Sequence, residues 1–150
     1  MSSNSAIFAA GCFWGIEDYF SKITGVISTK VGYSGGNSIN PSYEEVCTGN
    51  TGHAECVLII FDKNLISYQS LLTNFWKCHD PTTLNKQGND IGSQYRSAIF
   101  YFDEIQKDLA TKSKIEVSPN YNNSIVTEIK LAKDFFLAED YHQEYLKKFI

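Results

Sequence analysis

The chain has 150 residues, 13 of them basic and 17 acidic, for a formal net charge of −4. That length suits one domain, residues 1–150, with a core that needs no metal or disulfide staple. A 43% hydrophobic and 20% charged composition excludes disorder. The acidic balance argues against a nucleic-acid partner, and no apolar run approaches the ~20 residues of a membrane span. In chain order, Ala6–Ala10 reads as a short buried strand broken by Gly11. Ile16, Tyr19, Phe20 and Ile23 then recur at i, i+3, i+4 and i+7, which predicts a helix over Trp14–Ile23. Val26–Ser34 is β-branched and reads as a strand, and Ser34–Asn40 is a loop by composition. Ser42-x-x-Glu45 matches a capping box ahead of a short helix over Tyr43–Cys47.

His53–Phe61 returns to an extended run, and a helix follows over about Tyr68–Cys78 with Leu71, Leu72, Phe75 and Trp76 on its apolar side. Asp80–Gln94 is a long polar connection, of a length that compact domains usually keep for function. Ser97–Phe102 predicts a strand, Asp103-x-x-Gln106 caps another helix, Ile125–Lys130 is a last strand and Glu139–Lys148 a short terminal helix. This order predicts an α+β two-layer sandwich with a mixed sheet of the ferredoxin-like, split βαβ kind.

The first residues carry no Lys or Arg, so the basic region of a secretory leader is missing and a reducing cytoplasm is expected. There the four cysteines, Cys12, Cys47, Cys56 and Cys78, are more often catalytic, metal-binding or buried than paired. Their spacings of 35, 9 and 22 residues hold no C-x-x-C pair. Cys47, His53 and Cys56 with the later Cys78-His79 lack the paired spacing of structural zinc sites, so no metal is expected. Cys12 follows a strand and a glycine and opens a helix, where free N–H groups and the helix dipole favour a thiolate. Phe13 and Trp14 beside it form either an apolar pocket for a nucleophile's substrate or simply part of the core. A thiol hydrolase pairing Cys12 with His53 or His142 would need an orienting Asp or Asn and an oxyanion hole, for which the sequence offers no pattern. A non-catalytic interaction module with a buried Cys12 is the remaining alternative.

The segment Gly11-Cys12-Phe13-Trp14-Gly15 resembles the active-site motif of the A-type peptide-methionine (S)-S-oxide reductases. Further segments fall in that family's order: Gly32-Tyr-Ser-Gly-Gly36, Asn40-Pro-Ser-Tyr43-Glu-Glu-Val-Cys47, Thr51-Gly-His-Ala-Glu55, Phe75-Trp-x-x-His79-Asp-Pro-Thr82, Gln87-Gly-Asn-Asp90-x-Gly-x-Gln-Tyr95-Arg-Ser97 and Ala138-Glu-Asp-Tyr-His-Gln143. The resemblance implies thiol-dependent reduction of methionine-(S)-sulfoxide in oxidised proteins or peptides, without a cofactor. Cys12 would be the nucleophile and finish as a sulfenic acid. Glu55 would protonate the sulfoxide oxygen, which needs a pKa raised towards ~6–7 by burial. Tyr43 and Tyr95 would hydrogen-bond that oxygen, Phe13 and Trp14 would hold the S-methyl group, and Asp90 would help position the substrate. His53, His79 and His142 are expected to be structural hydrogen-bonders.

Many members of that family continue into a Gly/Asn-rich tail carrying resolving cysteines, whereas this sequence has no cysteine after Cys78. Strand alternation turns Cys56 away from Glu55, and Cys78 resembles a packed residue. Cys47, four positions after Tyr43 on the same helical face, is the least implausible internal resolver. The expectation is therefore that a thioredoxin, a glutaredoxin or a small thiol attacks the Cys12 sulfenic acid directly, in a monomeric enzyme.

Overall fold

Residues 4–146 are described in the computed structural model, and a six-stranded sheet organises them. In chain order the elements are β1 (Ser5–Ala10), α1 (Phe13–Ser21), β2 (Val26–Ser34), α2 (Tyr43–Cys47), β3 (Ala54–Phe61) and α3 (Tyr68–Lys77). They continue with β4 (Lys86–Gln87), β5 (Asp90–Ile91), β6 (Ser97–Tyr101), α4 (Glu104–Val117), β7 (Glu128–Leu131) and β8 (Phe136–Leu137). The strand order is β7-β6-β1-β3-β2-β8. The inner four strands pair antiparallel, with α1 carrying the chain from β1 to β2 and α3 from β3 to β6. That is the ferredoxin-like, split βαβ arrangement, and the expected α+β sandwich is the one observed. α4 adds the parallel outer strand β7, which makes the sheet mixed.

Alternation along each strand sorts the core into two faces. Ala6, Phe8 and Ala10 of β1 and Val57, Ile59 and Phe61 of β3 face the helices, where Phe20, Leu71, Leu72, Phe75 and Ala110 close over them. Phe8 packs its ring against those of Phe20 and Phe75 at 5.6 and 5.0 Å. Truncating such a ring to Ala costs about 3–5 kcal/mol. Ile7, Ala9, Cys56, Ala98 and Phe100 face the other way, under Phe102, Ala132 and Phe135. Ser67 and Asp103 cap α3 and α4 by accepting from the N–H groups of Ser70 and Gln106.

Two segments differ from the sequence reading. The Asp80–Gln94 connection holds the β4–β5 hairpin, with Gln87 opposite Asp90, followed by a 3-10 turn at Ser93–Tyr95. Two-residue strands are too short to show an alternating pattern. Where a terminal helix was expected over Glu139–Lys148, the chain makes one 3-10 turn, Asp140–His142, and then reaches positive φ at Glu144; positions 147 and 148 of that expectation lie outside the described residues. Outside that turn, side chains and backbone here bond to the sheet and to α1 and α2. The Gln143 side chain accepts from the Val31 N–H and donates to the Val31 and Ala138 carbonyls, each at 2.9 Å, as a neighbouring strand would. The Glu144 N–H donates to Glu17 on α1 at 2.6 Å. This strap and the short β8 before it lie along the β2 edge.

Candidate active site

Cys12 stands where β1 turns into α1. Gly11 takes φ +99, and a Cβ there would lie 2.8 Å from Gln87 Cγ, so only glycine makes this turn without strain. Cys12 is the N-cap residue of α1 and is partly exposed. Its thiol is not the depressed one expected from the helix terminus. The backbone N–H groups of Trp14 and Gly15 pull the pKa down, but burial outweighs them, Glu55 and Asp90 add to it, and the thiol is pushed up to about 11. Cys12 therefore rests as a thiol.

Glu55 lies on β3, next to β1 in the sheet, on the same face as Val57. Its residue is 1% exposed. The Phe13 N–H, one residue past Cys12, donates to Oε1 at 3.1 Å, while Oε2 is buried with no hydrogen-bond partner among the described residues. Burial lifts this carboxyl to about 7, with the Asp90 charge adding to the rise and the Phe13 N–H opposing it. A buried acid with one unanswered oxygen near that pKa can give a proton to an acceptor brought against it.

Tyr43 is the first residue of α2, held by the capping box of Ser42 and Glu45 and by its own N–H, which donates to Glu139 at 3.1 Å. Tyr95 ends the 3-10 turn before β6. Burial raises both phenols, Tyr95 to about 12, so each keeps its proton at neutral pH. Glu55, Cys47, Asp90 and Cys12 all act electrostatically on Tyr95, which places it in the same cluster. Asp90 is exposed on β5, and its charge reaches Cys12, Glu55 and Tyr95.

The apolar wall is aromatic. Phe13 is buried against Tyr33, Tyr43 and His142. Trp14 stacks on Tyr145 at 4.0 Å and lies nearly parallel to Tyr43, and its indole N–H donates to His142 Nδ1 at 3.0 Å. The strap residues Glu139, His142 and Tyr145 thus fix the wall; sequence reasoning gave Glu139 and Tyr145 no part in the site and expected His142 to be a structural hydrogen-bonder, which is how it acts on Trp14. Glu139 accepts from the Tyr33 hydroxyl as well as from the Tyr43 N–H. His53 accepts from the Gly36 N–H, and His79 bonds the Phe75 carbonyl and Ser97 Oγ. Of the other cysteines, Cys47 is exposed, beside the Tyr43 hydroxyl, whereas Cys56 lies on the far face of the sheet and Cys78 is half-buried at the end of α3. Among the described residues, no three His, Cys, Asp or Glu side chains are arranged to hold a metal ion. Nor is any helix among them long and apolar enough to cross a membrane.

A family model described as peptide methionine sulfoxide reductase matches residues 4–149. This chain belongs to that family. Peptide methionine sulfoxide reductase is accordingly its enzyme class, and the family reduces methionine sulfoxide. The peptide methionine sulfoxide reductase MsrA of Methanosarcina acetivorans is 57% identical over 145 residues, which span 95% of this chain and 77% of that one. Among solved structures, Mxr1 from Saccharomyces cerevisiae in reduced form superposes with a TM-score of 0.91 at 38% identity, covering 96% of this chain and 84% of that one. Mxr1 in complex with Trx2 superposes at 0.68 and 26% identity, covering 94% and 83%. Mxr1 in reduced form thus superposes on this fold better than Mxr1 in complex with Trx2.

Proposed function

We propose that this site reduces the S epimer of peptidyl methionine sulfoxide, with Cys12 as nucleophile and Glu55 as proton donor. The observation that carries the reading is the buried Glu55 carboxyl, tied to the Cys12 turn through the Phe13 N–H and raised to about 7. The S-methyl group seats against Phe13 and Trp14, Asp90 helps to position the substrate, and the Tyr43 and Tyr95 hydroxyls donate to the sulfoxide oxygen. Glu55 protonates that oxygen as the Cys12 sulfur attacks the substrate sulfur, and the carboxylate so formed takes up the thiol proton. The oxygen passes to Cys12: a thiol and a sulfoxide become a sulfenic acid and a thioether. An external thiol then condenses with the sulfenic acid, releasing water, and a second thiol frees Cys12.

Thioredoxin is the first choice for that thiol, because the neighbour Mxr1 has been solved with Trx2; a glutaredoxin or a small thiol is the same chemistry. Cys47 is the internal alternative, because it is exposed beside Tyr43. The reading takes the enzyme to be a cytoplasmic monomer. With dithiothreitol, a peptide carrying the S sulfoxide is expected to yield methionine, and Cys12→Ser to abolish it. No turnover, or turnover of the R epimer alone, refutes the proposal. One turnover without reductant, read by mass spectrometry, is expected to leave sulfenic acid on Cys12; a Cys12–Cys47 disulfide would instead make Cys47 the resolver.

A further inference from the structure

One side chain of the β4–β5 hairpin, Gln87, ties it to the Cys12 turn. Gln87 Cβ and Cγ lie against Gly11, so close that a Cβ on that glycine would meet them at 2.9 and 2.8 Å. The Gln87 amide makes two bonds to one residue at the end of the α3 connection. Its Oε1 accepts from the Asp80 N–H at 2.9 Å, and its Nε2 donates to the Asp80 carbonyl at 2.8 Å. Gln87 is thus wedged between the turn that presents Cys12 and the chain leaving α3. Across the hairpin its direct partner is Asp90. Residues directly opposite in an antiparallel pair put their side chains on the same face. The face that Gln87 lays on Gly11 is therefore the face from which Asp90 projects, and Asp90 lies near enough to act on Cys12, Glu55 and Tyr95.

We propose that Gln87 is a positioning residue: by docking the hairpin on Gly11 and Asp80, it holds Asp90 towards the reacting groups. The inference rests on the proposed role of Asp90 at the substrate. The amide does this better than an alkyl group of equal length because its two bonds fix the side-chain rotamer as well as filling the space.

The test uses the full chain and site-resolved alkylation. The rate of Cys12 carbamidomethylation by iodoacetamide is followed across pH by mass spectrometry of its peptide, which separates it from the exposed Cys47. The titratable groups facing Cys12 among the described residues are Glu55 from β3, Asp90 from β5 and Tyr95 from the turn before β6. Asp90→Asn is expected to move the alkylation profile to lower pH and to lower kcat/KM for a sulfoxide peptide. Gln87→Ala is expected to do the same, with a loss in kcat/KM on the order of tenfold to a hundredfold, as for misplacement by about 1 Å. Gln87→Met, which keeps the chain against Gly11 but makes neither amide bond, should fall between Gln87→Ala and the wild type. The deciding quantity is the double variant: once Gln87 is Ala, Asp90→Asn should shift the profile and kcat/KM by much less than in the wild type. Full additivity, or a Gln87→Ala enzyme indistinguishable from the wild type, overturns the inference while leaving Asp90 in its role. If Asp90→Asn alone changes neither profile nor kcat/KM, the reading of Asp90 falls and the positioning role falls with it.

Discussion

Glu55 illustrates at the scale of one residue how burial separates stability from function. Its ordinary pKa of 4.5 is lifted to about 7 by desolvation first and the Asp90 charge second. Below 4.5 the carboxyl is protonated both folded and unfolded, and it makes no pH-dependent difference. Between 4.5 and about 7 the folded protein keeps a proton that the unfolded chain has released, so stability falls as pH rises through this window. The whole fall is about 3 kcal/mol at 1.36 kcal/mol per unit. Glu55→Gln removes that titration. It should match the wild type near pH 4 and exceed it at pH 8 by up to about 3 kcal/mol in urea unfolding, while losing about 10²–10⁴ in kcat. A stability difference that does not change with pH would contradict the assignment. The same titration predicts that wild-type turnover declines above pH 7, because only the neutral acid donates.

Among the elements, α2 and the hairpin differ in how far they could be read in advance. The α2 start was legible because Ser42 and Glu45 satisfy each other's backbone N–H groups locally: Ser42 Oγ accepts at 3.1 Å and Glu45 Oε1 at 2.8 Å. Helix caps of this kind need no knowledge of the rest of the chain. Ser42→Ala should cost about 1 kcal/mol, seen as a fall in Tm of about 2–4 °C for a chain of this size, whereas Ser42→Thr should retain most of the stability. Because Tyr43 is the next residue, the Ala variant should also lose turnover; unchanged kcat with a lowered Tm would detach the cap from the site. The hairpin was hidden because its contacts are with Gly11 and Asp80, not with a periodic pattern of its own.

For the molecule as a whole, sheet order joins what the chain keeps apart. Cys12 and Glu55 leave adjacent antiparallel strands and meet through Phe13, 42 residues from its acceptor. Their residue types and motifs were legible in the sequence. What was not legible was the strap, since His142 lies 128 residues from the Trp14 that it orients, and Gln143 lies 112 from the Val31 that it imitates a strand against. No local preference encodes such pairings, and the helical expectation there lost to them. The strap should open without the sheet opening. In Gln143→Ala, hydrogen exchange at Val31 should speed up while Ile7 and Phe8 in β1 stay protected. Equal acceleration of all three would mean that the strap and the sheet unfold together.

The burial of Cys12 bears on survival as well as on turnover. Peroxide attacks the thiolate, and susceptibility to it follows thiolate character and exposure. Raising this thiol from 9.0 to about 11 lowers its thiolate population at neutral pH by about a hundredfold. Oxidants that turn methionine into sulfoxide thus find the Cys12 sulfur largely shielded, while in the proposed mechanism a bound sulfoxide brings both the electrophile and the acceptor for the Glu55 proton. On the proposed mechanism the enzyme is armed by its substrate, and idles safely in the chemistry that makes it necessary.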